Sequence, residues 1–394
     1  MNPLQSTRSA GPNQRLSGTV VVCHNTSRYL WLHYEHLLKR LVSHFDRVVC
    51  ITPRDGSESV FEDLGLVYEP IDIHQHGMNP LQEARFVYDL YKQYKKYQPD
   101  VVLNFSIKPC LYGAIAARFT KVKRTGCMVT GLGYVFLTRS MMARLIRQAM
   151  KLGYPKLMGR DDVFFFQNPD DAGLFSREGI SRSCKSVVLA GTGIDTTFFS
   201  ASPPAQEKQA IRFLFIGRML KDKGVFEYHE SAKQLKRIYP EASFALLGPM
   251  DNNPSAIPES EIMDWQDQGI VEYYGETDDV RPYLMQSDVF VLPSYREGLP
   301  RAGLEAMAMS RAVITTDAPG CRELVKENEN GFLVPPADSG SLARAMEFFI
   351  KNPQKCHEFG LASRAFCISR FEVGQVADAV VDHLSSQPVH ESER

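Results

Sequence analysis

Residues 295–310 read YREGLPRAGLEAMAMS and hold two carboxylates, Glu297 and Glu305, with seven residues between them. Upstream, residues 215–227 read FIGRMLKDKGVFE and bring Gly217, Arg218 and Lys223 together just before Gly224. Cations beside a helix start make an anion site, because the free backbone N–H groups and the helix dipole add to the side-chain charges. Arg218 can fork onto phosphate oxygens, whereas Lys223 acts as a point charge. In the first stretch Pro300 suits the initial helical position, so Gly298–Arg301 would present free amides at a second helix start. Glu305 then falls in the second turn, where a carboxylate can accept from paired ribose hydroxyls. Glu297, with Leu299 in the same loop, would reach past the phosphates toward whatever they carry. Each motif alone is compatible with a capping glutamate or a solvated loop. Together they point to a nucleoside diphosphate and its cargo.

Elements must exist to hold these loops. Short apolar runs alternate with helix-period segments along the whole chain. Strands are predicted at 19–24, 47–52, 100–105, 125–130, 162–168 and 186–191, with helices at 29–44, 79–98 and 109–119. Residues 200–210, SASPPAQEKQA, lack periodicity and read as a linker. The pattern then restarts, with strands at 211–217, 243–248, 271–275, 289–293 and 312–316 and helices at 224–238, 279–287 and 300–309. Continuous apolar strands alternating with helices give α/β, doubly wound parallel sheets. Two Rossmann-like domains facing across a cleft are expected at 18–199 and 211–370. A disordered tail at 1–17 precedes them, and a last helix in 371–394 crosses back to the first. Both chemistry-bearing loops follow strands, where such sheets bind ligands.

The 394 residues carry a net charge of −1, spread unevenly. Residues 1–195 hold 25 lysines and arginines against 17 acids, and the remainder 20 against 29. Residues 101–160 hold 11 basic side chains and no acidic one, a pattern that fits an anionic partner. There is no run of 18 apolar residues, and the polar start lacks a signal core, so a cytoplasmic protein is expected. The eight cysteines show no C-x-x-C spacing and read as reduced, buried thiols. No Asp-x-Asp occurs to hold a divalent ion on a diphosphate, so no metal and no cofactor is expected. No G-x-G-x-x-G follows the first strand, against a dehydrogenase, and no nucleic-acid partner is indicated.

The stretch EGLPRAGLE resembles the E-x7-E element of the retaining glycosyltransferases of family 4, and GRMLKDKG their G-R-x4-K-G element. Residues 319–338 resemble that family's stretch after the next strand. In the first half, NFSIKPCLYGAIAAR and VTGLGYVF look like bacterial α-1,3-N-acetylgalactosaminyltransferases that extend polyprenyl-diphosphate-linked saccharides. The resemblance implies a GT-B fold with a UDP-sugar donor in the second domain, bound by Gly217, Arg218, Lys223, Glu297, Gly298, Leu299, Pro300 and Glu305. Arg218 and Lys223 would hold the diphosphate, Glu305 the ribose and Glu297 the donor sugar. Arg218, Lys223 and Glu297 would be the catalytic set. The implied activity is metal-independent hexosyl transfer in surface-glycan or glycoprotein-glycan assembly. A sugar-nucleotide epimerase and a catalytically silent scaffold are the rival readings.

The chain departs from the family pattern in places. Ser310 and Ala312 stand where the family usually has Gly and Pro, and Glu327-Asn328 where Asp-Gly is common. The family's first-domain histidine has no match; Gly131 and Gly133 could instead let backbone approach the sugar or acceptor. His24, Asn25 and Thr26, after the first strand, and Lys108 are further acceptor candidates. His33 with His36, His74 with His76, and Gly191-x-Gly193 read as structural. In residues 140–152 the spacing puts Arg144, Arg147 and Lys151 on one helical face and Met142, Leu145, Ile146 and Ala149 on the other. With Lys121, Lys123, Arg124, Arg139 and Lys156 this predicts docking of residues 120–160 on an anionic membrane, on the inner face of the plasma membrane.

Overall fold

The computed structural model describes residues 16–73, 79–132, 141–203, 210–251 and 253–385. It divides into two compact units. The first comprises residues up to Phe165, Phe175–Val187 and the chain from Ala377; the second comprises Phe166–Leu174 and Val188–Val376. Each is built on a parallel sheet. The tails at 1–15 and 386–394, the linker residues 204–209, and His74, His76, Gly133 and Arg139 lie outside the described residues.

In the first unit the strands are β1 (Leu16–Cys23), β2 (Phe45–Thr52), β3 (Val67–Pro70), β4 (Val101–Phe105), β5 (Arg124–Val129), β6 (Val163–Phe166) and β7 (Lys185–Val188). Their order is β3-β2-β1-β4-β5-β6-β7. Val20 of β1 faces Val48 on one side and Val101 on the other, both in parallel register. β4, β5 and β6 are buried along their full length, which is why they are mostly apolar, β6 without a break and β4 and β5 with buried Asn104, Arg124 and Thr125 among them. Helices α1 (Ser27–His44), α2 (Glu58–Asp63), α3 (Pro80–Tyr97), α4 (Ile107–Thr120) and α5 (Met141–Leu157) belong to this unit, and α6 (Pro169–Arg177) follows β6. None of the eight cysteines forms a disulfide.

The second unit orders β10 (Glu272–Tyr273), β9 (Ser243–Leu247), β8 (Arg212–Ile216), β11 (Val289–Leu292), β12 (Ala312–Thr316) and β13 (Gly331–Val334) side by side. Around it lie α7 (Val225–Ile238), α8 (Glu259–Asp267), α9 (Arg281–Gln286), α10 (Arg301–Ala308), α11 (Ser339–Lys351) and α12 (Gln354–Phe371). One apolar core runs from Phe213 and Phe244 to Leu304, Met346 and Phe359. In both sheets the order reverses beside the first strand, between β1 and β4 and between β8 and β11. Loops leaving the carboxyl ends there splay apart, and the gap is where such sheets take ligands. The final helix, α13 (Val373–Ser385), buries Val380, Val381 and Leu384. Arg124 in the first unit donates to the Leu384 carbonyl at 2.8 Å, satisfying the helix end with a cation.

Several sequence expectations are corrected. β3 and β13 were not legible as strands, being short and only partly buried; β6 ends at Phe166, two residues before the predicted limit. Pro300 precedes the first helical residue, Arg301, because its ψ of 112° is extended; it is the cap, not the first turn. In α5 the core receives Ala143, Met150 and Tyr154, while Leu145 and Ala149 face solvent, so the inner and outer faces differ from the predicted ones. Lys151 bonds Glu178 and is not a free cation.

Ser310, just after α10, sits at φ 63° with its side chain fully buried and its hydroxyl without a hydrogen bond. Asn328 takes φ 62°, a conformation its side chain tolerates. Replacing Ser310 by glycine removes both left-handed strain and a buried unpaired hydroxyl, together about 1 kcal/mol or more. Ser310→Gly should therefore raise the thermal or urea midpoint. An unchanged or lower midpoint would contradict this account of how α10 ends.

Candidate active site

Two loops meet at the reversal point of the second sheet. The first leaves β8. Gly217 donates its N–H to Leu247 O at 2.9 Å, and Gly248 lies so close that a Cβ there would stand 2.0 Å from Gly217 O. Arg218 follows, its side chain half exposed and held by Asp251 at 2.8 Å. A 3-10 turn over Lys221–Lys223 then leads to Gly224, at φ 74°, and into α7. A Cβ on Gly224 would fall 2.1 Å from the Pro293 carbonyl oxygen, so only glycine lets the α7 start abut the β11 loop.

That β11 loop carries Glu297. Its N–H donates to Pro319 O at 3.0 Å, and its carboxylate pairs directly with Lys223 Nζ. The two side chains are 13% and 21% exposed, so the pair is largely withdrawn from water yet open on one side. Gly298 and Leu299 complete the loop. Leu299 packs against Gly191, where a Cβ would lie 2.5 Å from its Cδ2; the Gly191-x-Gly193 turn is thus a packing feature. Pro300 O accepts from Gly303 and Leu304 at 3.1 and 3.3 Å. The amides of Arg301 and Ala302 precede any intrahelical partner, as at every helix start. Glu305 is one turn on, bonded by Arg301 Nε at 3.0 Å, and burial raises its carboxyl above the ordinary range while Arg301 opposes that rise. Gly217, Arg218, Lys223, Glu297, Gly298, Leu299, Pro300 and Glu305 therefore cluster around two helix starts. Two cations, two carboxylates and the starts of α7 and α10 can together hold a doubly charged diphosphate and hydroxyl groups attached to it.

The other candidates belong to the first unit, at the reversal between β1 and β4. His24 is buried, and desolvation lowers its pKa to about 4, so it is neutral at ordinary pH. Its Nδ1 accepts from Thr26 N–H at 2.9 Å, which places the ring proton on Nε2. Asn25 accepts from Ser106 Oγ at 3.4 Å. Lys108 is engaged with Glu83 at 2.7 Å, so it reaches a ligand only by leaving that carboxylate. Gly131 follows β5. His33 packs edge-on against Tyr29. Among the described residues no group of three or more His, Cys, Asp or Glu side chains could hold a metal ion.

Sequence reasoning missed the residues that grip the Glu297 loop. Asn168 Nδ2 donates to Gly298 O at 2.7 Å and Asp171 pairs with Arg296, while the neighbouring Asp170 holds Arg322, in the turn after β12, at 2.5 Å. The signal was present in Asn168-Pro169-Asp170-Asp171, a cap, a proline and two acids at a helix start. Reading a strand through Asn168 hid it.

Because Gly224 has no room for a Cβ and sits at positive φ, Gly224→Ala should destabilise the second unit by more than about 1 kcal/mol. Denaturant titration checks this. An unaltered midpoint would contradict the close approach of the α7 start to Pro293.

The family description "Glycosyl transferases group 1" matches residues 196–366, and "Glycosyl transferase 4-like" matches residues 20–158. The N,N'-diacetylbacillosaminyl-diphospho-undecaprenol alpha-1,3-N-acetylgalactosaminyltransferase of Campylobacter jejuni is 28% identical over 80% of this chain and 85% of its own length. Among solved structures, sucrose-phosphate synthase from Thermosynechococcus elongatus superposes with a TM-score of 0.75 at 17% identity, covering 92% of this chain and 97% of that one. Anabaena HepE, solved with UDP and glucose, gives 0.73 at 19% identity, covering 94% and 100%. These likenesses at low identity concern the fold, which is GT-B. With its two parallel-sheet units each matched by a glycosyltransferase description, the chain belongs to the group 1, 4-like glycosyltransferases.

Proposed function

We propose that this glycosyltransferase moves a sugar, an N-acetylhexosamine, from a UDP-sugar to a polyprenyl-diphosphate-linked saccharide in bacterial glycan assembly, with retention and without a metal ion. The observation that carries the reading is the Lys223–Glu297 pair at the sheet reversal, flanked by Arg218 and Glu305. The nature of the Campylobacter relative supports the acceptor class and the sugar.

As the glycosidic bond breaks, charge grows on the leaving diphosphate. Arg218, Lys223 and the amides at the starts of α7 and α10 are fixed in advance around that charge, where electrostatic stabilisation is largest. Lys223 exchanges Glu297 for the diphosphate, and Glu297 is released toward the sugar. Glu305, beyond the first turn of α10, accepts from the ribose hydroxyls. The acceptor hydroxyl attacks from the face the diphosphate leaves, and its proton passes to the departing phosphate oxygen. His24, Asn25, Thr26, Lys108 and the backbone at Gly131 serve the acceptor from the first unit.

The acceptor's lipid places the reaction at a bilayer. α5 turns Met141, Leu145 and Leu152 outward, 80%, 62% and 66% exposed, an apolar row on a helix whose other outward residues include Arg144 and Lys156. Beside its end, a cavity of about 400 Å³ is lined by Arg118, Lys121, Lys123, Lys156 and Arg160 together with Asp161 and Asp162. Among the described residues no helix is long and apolar enough to cross a membrane. Such a surface suits an anionic leaflet, with the row entering the interface and the cations on the phosphates.

Mass spectrometry of products from a panel of UDP- and GDP-sugars, with and without lipid-linked acceptor, tests the reaction. Transfer that needs the acceptor and survives EDTA is expected. Interconversion of the UDP-sugar without acceptor would mean an epimerase, and no turnover at all a silent scaffold. Arg218→Ala or Lys223→Ala should cut turnover roughly 10²–10³-fold. Glu305→Gln should weaken UDP binding, whereas Glu297→Gln should not; near-normal kinetics and unchanged UDP affinity in Glu305→Gln would overturn the assignments.

In vesicle sedimentation, binding should require anionic lipid, fall with added salt, and drop when Met141, Leu145 and Leu152 become Ser. Equal binding to neutral and anionic vesicles at every salt concentration would refute the membrane reading.

A further inference from the structure

The loop that carries Glu297 runs without regular structure from the end of β11 to the start of α10, so something must fix it. Two backbone contacts do so from one side. Glu297 N–H bonds Pro319 O at 3.0 Å, and Gly320, at φ 79°, lies where a Cβ would come within 2.4 Å of Glu297 O and 2.5 Å of Gly298 O. The other side is held from the start of α6, a segment well over a hundred residues earlier in the chain yet within the same compact unit.

Asn168 is fully buried and does two jobs. Its Oδ1 accepts from Asp171 N–H at 2.8 Å, capping α6. Its Nδ2 donates to Gly298 O at 2.7 Å and lies 3.4 Å from Glu297 O. The cap requires only an acceptor, and serine would serve it equally well. A carboxamide caps the helix with its oxygen and carries its N–H far enough to meet a second backbone, a reach that the shorter serine hydroxyl lacks.

Asp171, 1% exposed, pairs with Arg296, whose own side chain is 20% exposed. The second oxygen of Asp171, Oδ2, and the Nε of Arg296 are buried without a hydrogen-bond partner. A buried ion pair that leaves hydrogen-bonding capacity unused is a poor stabiliser relative to apolar packing. What it does supply is a fixed direction for the backbone on which Arg296 sits, one residue before Glu297.

We propose that Asn168 and Asp171 are positioning residues: through Gly298 O and Arg296 they hold the Glu297–Gly298 loop in the geometry that meets the donor sugar. They touch no reacting atom. The inference rests on the reading that this loop contacts the sugar, but its structural half is independent of it. The side-chain contacts to the diphosphate, Arg218 and Lys223, lie on the β8 loop, and Glu305, the ribose contact, lies inside α10 beyond the loop. Loosening the loop should therefore spoil sugar transfer and leave UDP affinity in place.

The test uses Asn168→Ser, which keeps the cap and loses the reach to Gly298, and Asp171→Asn, which keeps the shape and loses the charge. Amide hydrogen exchange compares residues 296–300 with 170–177 in the full chain. About fivefold to tenfold faster exchange at 296–300, with 170–177 little changed in Asn168→Ser, is expected, since losing one buried hydrogen bond makes local opening easier. Unchanged exchange at 296–300 in both variants overturns the proposal, whatever the substrate is. In kinetics, kcat for sugar transfer should fall about tenfold while the UDP dissociation constant stays within about twofold. Equal loss of both, together with a lowered melting temperature, would mean a structural role only and also overturns it. If the wild-type protein transfers no sugar, the functional reading fails and the exchange measurement still decides the positioning role.

Discussion

A lysine and a glutamate brought together at the reversal point of a parallel sheet are the centre of the chemistry proposed for this molecule. Lys223 ends one strand-to-helix loop and Glu297 begins the next, and each is mostly withdrawn from water. A lone charge at such a site would be costly, and the pair avoids that cost only while both members stay in place. The surrounding structure follows from this requirement. The α7 start must come within contact of the β11 loop, which demands Gly224; the β8 and β9 ends must nearly touch, which demands Gly248; and Gly320 must let the Glu297 backbone pass. Three glycines and one ion pair thus set the dimensions of the site.

The pairing also gives the cation proposed to hold a diphosphate a partner of its own. Arg218 is treated likewise, held by Asp251, and Glu305 by Arg301. Each polar group of the cluster is preset by a neighbour, so a ligand exchanges contacts with these groups and little ordering is left for it to do. In the first unit, His24 is set the same way by the Thr26 N–H, with its remaining proton on Nε2.

Much of this was legible in the sequence, for identifiable reasons. Parallel strands covered on both faces must be apolar throughout, so most of the sheet strands were visible as runs. The two turns at the reversal of the second sheet were visible because Gly217, Arg218, Lys223 and Gly224 stand close together in sequence, as do Glu297 and Glu305. What escaped depends on partners distant in the chain. Nothing near Lys108 announces Glu83, and nothing near Glu297 announces Asn168. Helix α5 was misread because its outward row, Met141, Leu145 and Leu152, is as apolar as a core face, while the true inner residues include Ala143 and Tyr154. Pro300 was placed one residue too far into α10 because its extended ψ is set by the loop that must deliver Glu297.

The most direct test of the central claim is a double-mutant cycle on UDP affinity, measured by calorimetry with Lys223→Met, Glu297→Gln and the double variant. If Lys223 leaves Glu297 to take up the diphosphate, Glu297→Gln alone should strengthen UDP binding and Lys223→Met weaken it. In the Lys223→Met background the glutamate change should then have little effect, a coupling of about 1 kcal/mol or more. Additive effects of the two substitutions would show that the pair and the diphosphate site are separate, and the account of the site would fail.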